Sequence, residues 1–104
     1  MRKKILVLPL ALEDLIEQSV FIAQGSQSAA LRFLEMADKT FEELAEMPLM
    51  GNPAPFQSIH LAGVRRWRIR DFERHLIFYK PLEDSIEIIR VLDSSRDIES
   101  LFEE

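Results

Sequence analysis

The chain contains no cysteine, which excludes a disulfide framework and any thiolate metal site and agrees with a reducing cytoplasm. Its three glycines stand singly, so there is no glycine-rich loop to cradle a phosphate. Histidine occurs only at His60 and His75, in separate segments and without a Ser, Cys or Asp spaced to pair with either for nucleophilic catalysis. Both read as ordinary surface or strand residues. No cluster of side chains has metal-ligand spacing, so neither a metal nor another cofactor is expected. Long apolar runs are missing too. Arg2-Lys3-Lys4 and the apolar stretch behind it have two parts of a signal peptide, but the stretch stops at Glu13-Asp14 with no small-residue cleavage site and is far shorter than a bilayer span. A buried first strand explains the same residues, and no membrane contact is expected.

What is present is an ordinary folding composition. With 104 residues, 47% hydrophobic and 30% charged, the chain is long enough for one domain around one core and too apolar to be disordered. The net charge of -5 opposes loose adhesion to nucleic acid or anionic membrane. The distribution is uneven, however. Between Val64 and Arg74 lie Arg65, Arg66, Arg68, Arg70 and Arg74 against only Asp71 and Glu73, a cationic patch able to meet an anionic partner.

In chain order, Ile5 to Leu8 reads as a short strand ended by Pro9, a residue suited to the first position of a helix. Leu12, Leu15, Ile16, Ser19, Val20 and Ala23 then follow helical spacing, which predicts a buried stripe with Glu13, Asp14, Glu17 and Gln18 in water. The same acids suit the first turn of a helix. Gln24 to Gln27 breaks the pattern, with Gly25 available for a left-handed stop and Ser26 or Ser28 available as a cap. A second amphipathic helix carries Ala30, Phe33, Leu34, Ala37, Phe41, Leu44 and Ala45 on its inner face. Two helices joined so tightly form an antiparallel hairpin.

The stretch from Met47 to Pro55, with three prolines and one glycine, excludes helix and central strand and is read as a loop. Ile59 to Leu61 reads as a short edge segment and Ala62-Gly63 as a turn. Three strand-like runs follow, from Val64 to Arg70, His75 to Tyr79 and Ile86 to Leu92, joined by turns too short for a parallel crossover. They make an antiparallel meander. Alternation places Arg66, Arg68 and Arg70 on one face, and Arg65, Trp67 and Ile69 on the other. Ile86 to Leu92 is nearly all apolar and is therefore expected inside the sheet, covered on both faces. Asp93 or Ser94 is placed to cap a last short helix, and Ser94 with Asp97 has capping-box spacing. The fold class is α+β: β-α-α-β-β-β, a helical hairpin packed on an antiparallel sheet, with a short C-terminal helix.

Order and residues together resemble the ParE branch of the RelE/ParE superfamily, the toxins of bacterial type II toxin–antitoxin pairs. The resemblance rests on Leu8-x-x-Ala11-x-x-Asp14-Leu15, Ala30-x-x-Phe33, Phe41-x-x-Leu44-x-x-x-Pro48-x-x-Gly51, Val64-Arg65, Ile77-Phe78-Tyr79, and Arg90-Val91-Leu92 followed by Arg96-Asp97. It implies the same fold, a cytoplasmic toxin acting by binding DNA gyrase, a role in plasmid stabilization and growth arrest, and a cognate antitoxin whose flexible segment wraps it in a hetero-oligomer. The alternatives are a RelE-like endoribonuclease acting on ribosome-bound mRNA, with Arg68, Arg90 and Arg96 as phosphate clamps, or a toxin fold without activity. Such a ribonuclease needs a proton-handling group near the C-terminus, and Phe102 stands at the corresponding place. ParE-like chains often carry His where this chain has Asp93. Tyr79, the sole tyrosine, reads as a sheet residue with a satisfied hydroxyl. The expected partner-binding residues are Arg66, Arg68 and Arg70 on the sheet, with Arg96, Asp97 and Phe102 at the C-terminal end.

Overall fold

The computed structural model describes residues 2–56, 59–96 and 98–102. Strand β1 (Lys4–Val7) leads into helix α1 (Pro9–Gly25) and helix α2 (Gln27–Glu46); β2 (Asn52–Pro53) and a single 3-10 turn at Ile59–Leu61 precede β3 (Arg65–Ile69), β4 (Phe72–Pro81), β5 (Ser85–Asp93) and α3 (Ile98–Phe102). The spatial order of the sheet is β1-β5-β4-β3-β2. The three-stranded meander is antiparallel, as the turns require, but β1 joins β5 in parallel, pairing Ile5 with Ile86 and Val7 with Ile88, so the sheet is mixed. The helical hairpin serves as the crossover that a parallel pair demands. As its composition predicts, β5 is an inner strand.

Local chemistry sets the ends of the helices. Pro9 occupies the first helical position of α1, where its missing N–H costs nothing, so Glu13 and Asp14 fall beyond the first turn, which holds no acid. Ser26, in extended conformation, ends α1 and starts α2, its Oγ accepting from the Ala29 N–H at 3.1 Å. The left-handed stop expected at Gly25 is not used: among the described residues only Gly63 (φ 84°) and Asp71 (φ 68°) have positive φ. Asp tolerates that region better than most side chains. This lets Arg70-Asp71 turn the chain so sharply that β4 begins at Phe72, where the sequence predicts a longer turn.

The core lies between the hairpin and the sheet, where Ala11 and Leu15 of α1 and Phe33, Ala37, Phe41 and Leu44 of α2 meet Ile69, Ile77, Tyr79, Ile86, Ile88 and Val91. Met36 and Thr40 join the buried face of α2. Thr40 is tolerated because its hydroxyl donates to the Met36 carbonyl (2.7 Å) and accepts from the Arg70 N–H (3.1 Å). A second apolar cluster closes the opposite side of the sheet, where Val64, Phe78 and Leu92 are covered by Phe56, Leu61, Ile98, Leu101 and Phe102.

His75 is held in its neutral form between these elements. It packs edge-on to Phe33 with ring centroids 4.8 Å apart, and its Nδ1–H donates to Gln18 Oε1 at 2.6 Å while Gln18 Nε2 donates to the Val91 carbonyl at 2.7 Å. Burial lowers its pKa below the ordinary 6.5, outweighing the opposing pull of Asp93. The unfolded chain therefore takes up the proton first on acidification, and stability is lost as pH falls below about 6.5, above the range in which carboxylates titrate. The melting temperature is expected to fall between pH 7 and pH 5, and a His75→Asn variant is expected to lose that slope.

Candidate partner-binding surface

On β3 the alternation holds through Ile69. Trp67 and Ile69 turn into the core, while Arg66 and Arg68 are exposed on the other face, and the Arg68 guanidinium sits 5.6 Å from the centroid of the Trp67 ring. Arg65, on the inner side, donates from Nη1 to the Gly51 carbonyl at 2.6 Å. Arg70 leaves the cationic face. Lying in the tight turn, it pairs with Glu43 of α2 on the helical side, and the neighbouring Asp71 pairs with Arg32. Among the described residues Arg66, Arg68 and Arg96 have no ion-pair partner. Arg66 and Arg68 line a hollow of about 390 Å³ with Asn52, Trp67, Glu73 and Leu76.

Arg90 is placed very differently from a phosphate clamp. Its Nε donates to Asp14 Oδ2 at 2.8 Å and its Nη2 to Asp14 Oδ1 at 2.9 Å, a bidentate pair whose side chains are only 15% and 10% exposed. Asp14 Oδ2 also accepts from the Val91 N–H at 3.0 Å, and Arg90 Nη1 reaches the Leu101 carbonyl at 3.4 Å. Expected in water, Asp14 is instead the buried acid that ties α1 to β5. The pair takes up where β1 stops pairing, beyond Ile88.

Tyr79 is equally committed. Its hydroxyl donates to the Pro48 carbonyl (2.8 Å) and accepts from the Gly51 N–H (2.9 Å), and burial raises its pKa. Gly51 is required there because a Cβ would stand 2.5 Å from the Tyr79 hydroxyl and 2.8 Å from the Arg66 carbonyl oxygen. Phe102 packs into an aromatic trio with Phe56 (4.8 Å) and Phe78 (5.2 Å) beneath the sheet. Asp93 stays ionised to lower pH than an ordinary carboxylate because its Oδ1 accepts from the N–H and the hydroxyl of Ser95, fixing the turn that leads to α3. Asp97 lies outside the described residues. No three His, Cys, Asp or Glu among the described residues are grouped to hold a metal ion.

A further surface feature is built from residues that periodicity assigns to the core. Ile16 and Val20, expected inside, are 53% and 57% exposed, as is Leu12 at about half; Leu31 of α2 is 70% exposed. Between the helices, Ser19, Val20, Ala23, Gln27, Leu31 and Leu34 line an apolar groove of about 280 Å³ on the side away from the sheet. Its exposed apolar lining makes this groove a candidate interaction site. A sequence signal existed: α1 has apolar residues around its whole circumference, more than one buried stripe can use.

The sequence from residue 5 to residue 98 matches the family model described as the ParE toxin of the type II toxin–antitoxin system parDE. The chain belongs to the ParE toxin family. A solved structure titled "Chromosomal ParDE TA system from P. aeruginosa" superposes with a TM-score of 0.70 at 15% identity, covering 88% of this chain and 96% of that one. At that identity the likeness concerns the fold alone. No curated protein matches the sequence significantly. The groove, Arg66, Arg68 and Arg96 are open among the described residues, whereas Arg90, Tyr79 and Phe102 are engaged internally.

Proposed function

We propose that this ParE-family chain is a toxin that acts by binding, with DNA gyrase as target, and is neutralised by a cognate antitoxin in a hetero-oligomer. The observation that carries the binding reading is the engagement of the groups that RNA cleavage would use. Arg90 is locked to Asp14, the Tyr79 hydroxyl has both of its bonds made and its proton held by burial, and a phenyl ring stands at Phe102. Of the three cationic clamps a ribonuclease would need, Arg68 and Arg96 have no ion-pair partner among the described residues. No helix among the described residues is long and apolar enough to cross a membrane.

In this reading the antitoxin lays the apolar side of a helix into the α1/α2 groove and brings carboxylates to Arg66 and Arg68. Induced expression is expected to arrest growth, with gyrase supercoiling inhibited and transcripts intact by primer extension. Cut transcripts with normal supercoiling would reassign the chain to the ribonucleases, and unimpeded growth would leave a toxin fold without activity. Reversing both charges, Arg66→Glu with Arg68→Glu, is expected to weaken antitoxin binding at least tenfold and to flatten its salt dependence without changing the unfolding midpoint. Calorimetry at two salt concentrations reads both effects.

A further inference from the structure

We infer that the turn from Met47 to Met50 is the contact by which the toxin seats on its target, an apolar anchor for a recess in a basic, DNA-binding protein surface. The inference rests on the reading of the chain as a gyrase-directed toxin. Met50 donates its N–H to the Met47 carbonyl at 3.0 Å, closing a four-residue turn with Pro48 at the second position, where its fixed φ is favoured. The rest of the molecule immobilises this turn. The Tyr79 hydroxyl holds the Pro48 carbonyl and the Gly51 N–H, while Arg65 donates to the Gly51 carbonyl at 2.6 Å and comes within 3.5 Å of the Leu49 carbonyl. Met50 packs against the core. Leu49 at the tip and Met47 at the base are instead 71% and 61% exposed. Single apolar side chains at a surface are ordinary. Two of them on one backbone pinned by a buried phenol are unused by the fold and already ordered for a partner.

Charge selects the occupant. The part of α2 that leads into the turn, Glu35 to Glu46, holds five acids against one lysine, and of these acids only Glu43 has an ion-pair partner among the described residues. Glu35, Asp38, Glu42 and Glu46 recur every three or four residues and share the water-facing side of the helix. Their charges act on one another. Asp38 keeps its proton to higher pH than an ordinary carboxylate, first because it is partly buried and then because Glu42 lies beside it. An enzyme that handles DNA presents cations to the phosphates, so its binding surface complements this flank of the turn. The antitoxin does not. On the same reading it brings carboxylates to Arg66 and Arg68, which the acids of α2 repel. Distance separates the two surfaces as well: Leu31, on the rim of the groove, lies roughly 24 Å from Met47 along α2 at 1.5 Å per residue.

The test uses the whole chain and purified gyrase holoenzyme, with binding read by interferometry and inhibition by a supercoiling assay. Leu49→Ala is expected to raise both the dissociation constant and the toxin concentration for half-inhibition at least tenfold, and Met47→Ser with Leu49→Ser to abolish both. Glu42→Gln with Glu46→Gln should weaken gyrase binding severalfold and flatten its dependence on salt. All three variants should keep the parental unfolding midpoint and the parental affinity for the antitoxin. Gyrase binding and inhibition unmoved by the Leu49 and Met47 changes would overturn the proposal alone, and a parental salt dependence in the glutamine variant would overturn the basic partner. Antitoxin affinity falling by the same factor as gyrase affinity would also overturn it, by moving the turn to the antitoxin interface. A parental chain that neither binds nor inhibits gyrase would overturn the toxin reading and this contact together.

Discussion

Replacing Asp14 by alanine is expected to destabilise the protein by about 3–5 kcal/mol, because it removes the buried carboxylate that a largely covered guanidinium holds through two charge-assisted bonds. Two independent losses combine. Arg90 loses both of its charge-assisted bonds to Asp14, and the Val91 N–H, beyond the end of the β1 ladder, loses its acceptor. For a protein of ordinary stability, roughly 5–15 kcal/mol, this is a large share of the total. Urea denaturation should show a lower midpoint at unchanged slope. Much of the penalty comes from covering a charge whose bidentate acceptor has gone rather than from the worth of the pair, so Asp14→Leu combined with Arg90→Met should recover most of the loss. If the single and double variants unfold at the same midpoint, the pair is not what holds α1 to β5. The contact of Arg90 with the Leu101 carbonyl adds a local reading: in the single variant, amide exchange in α3 should accelerate along with that in α1.

That pair also shows where the sequence stops being legible. Elements governed by neighbours in the chain are readable: Pro9 opening α1, the Ser26 cap, the α2 stripe, and three strands joined by short turns. Asp14 is misread because a carboxylate in a helical pattern counts as polar, and its partner is 76 residues away. Both residues stand in the motif that signals the family, yet a motif records identities and spacings, not who meets whom. Arg70 is misplaced for a different reason. Strict alternation assumes an unbroken strand, but the register shifts between Arg68 and Ile69, where three residues of β4, Glu73 to His75, are inserted opposite one step, and the turn then swings Arg70 toward Glu43. The parallel docking of β1 follows from the long helical connection rather than from any residue in β1 itself. For the site, the open Arg66 and Arg68 were readable from alternation. The groove was signalled only by the surplus of apolar residues around α1, since periodicity marks which residues share a face and cannot say whether that face is covered by this chain or by another.

The same ambiguity yields the second large effect, and α2 contains its own control. Leu44 and Leu31 are chemically identical residues on one helix, yet Leu44 is fully buried among Phe41, Ile77 and other core residues while Leu31 is 70% exposed on the rim of the groove. Truncating Leu44 to alanine removes buried methyl groups and leaves a cavity that a close-packed core fills only in part, at a cost of about 2–5 kcal/mol. Truncating Leu31 to alanine removes a side chain that mostly faces water and should change stability by less than about 0.5 kcal/mol. Binding should report the reverse. If the groove receives the apolar side of an antitoxin helix, Leu31→Ala takes away part of the anchor surface and weakens the complex by a factor of ten or more, roughly 1.4 kcal/mol, in a protein that unfolds like the parent. Leu44→Ala should retain parental affinity at temperatures where it is still folded. Chemical denaturation and calorimetry on these two variants thus separate the leucine that builds the fold from the leucine that the fold presents. Equal stability losses would place the outer side of α2 in a core that this chain forms by itself, and parental affinity for Leu31→Ala would remove the groove from the antitoxin interface.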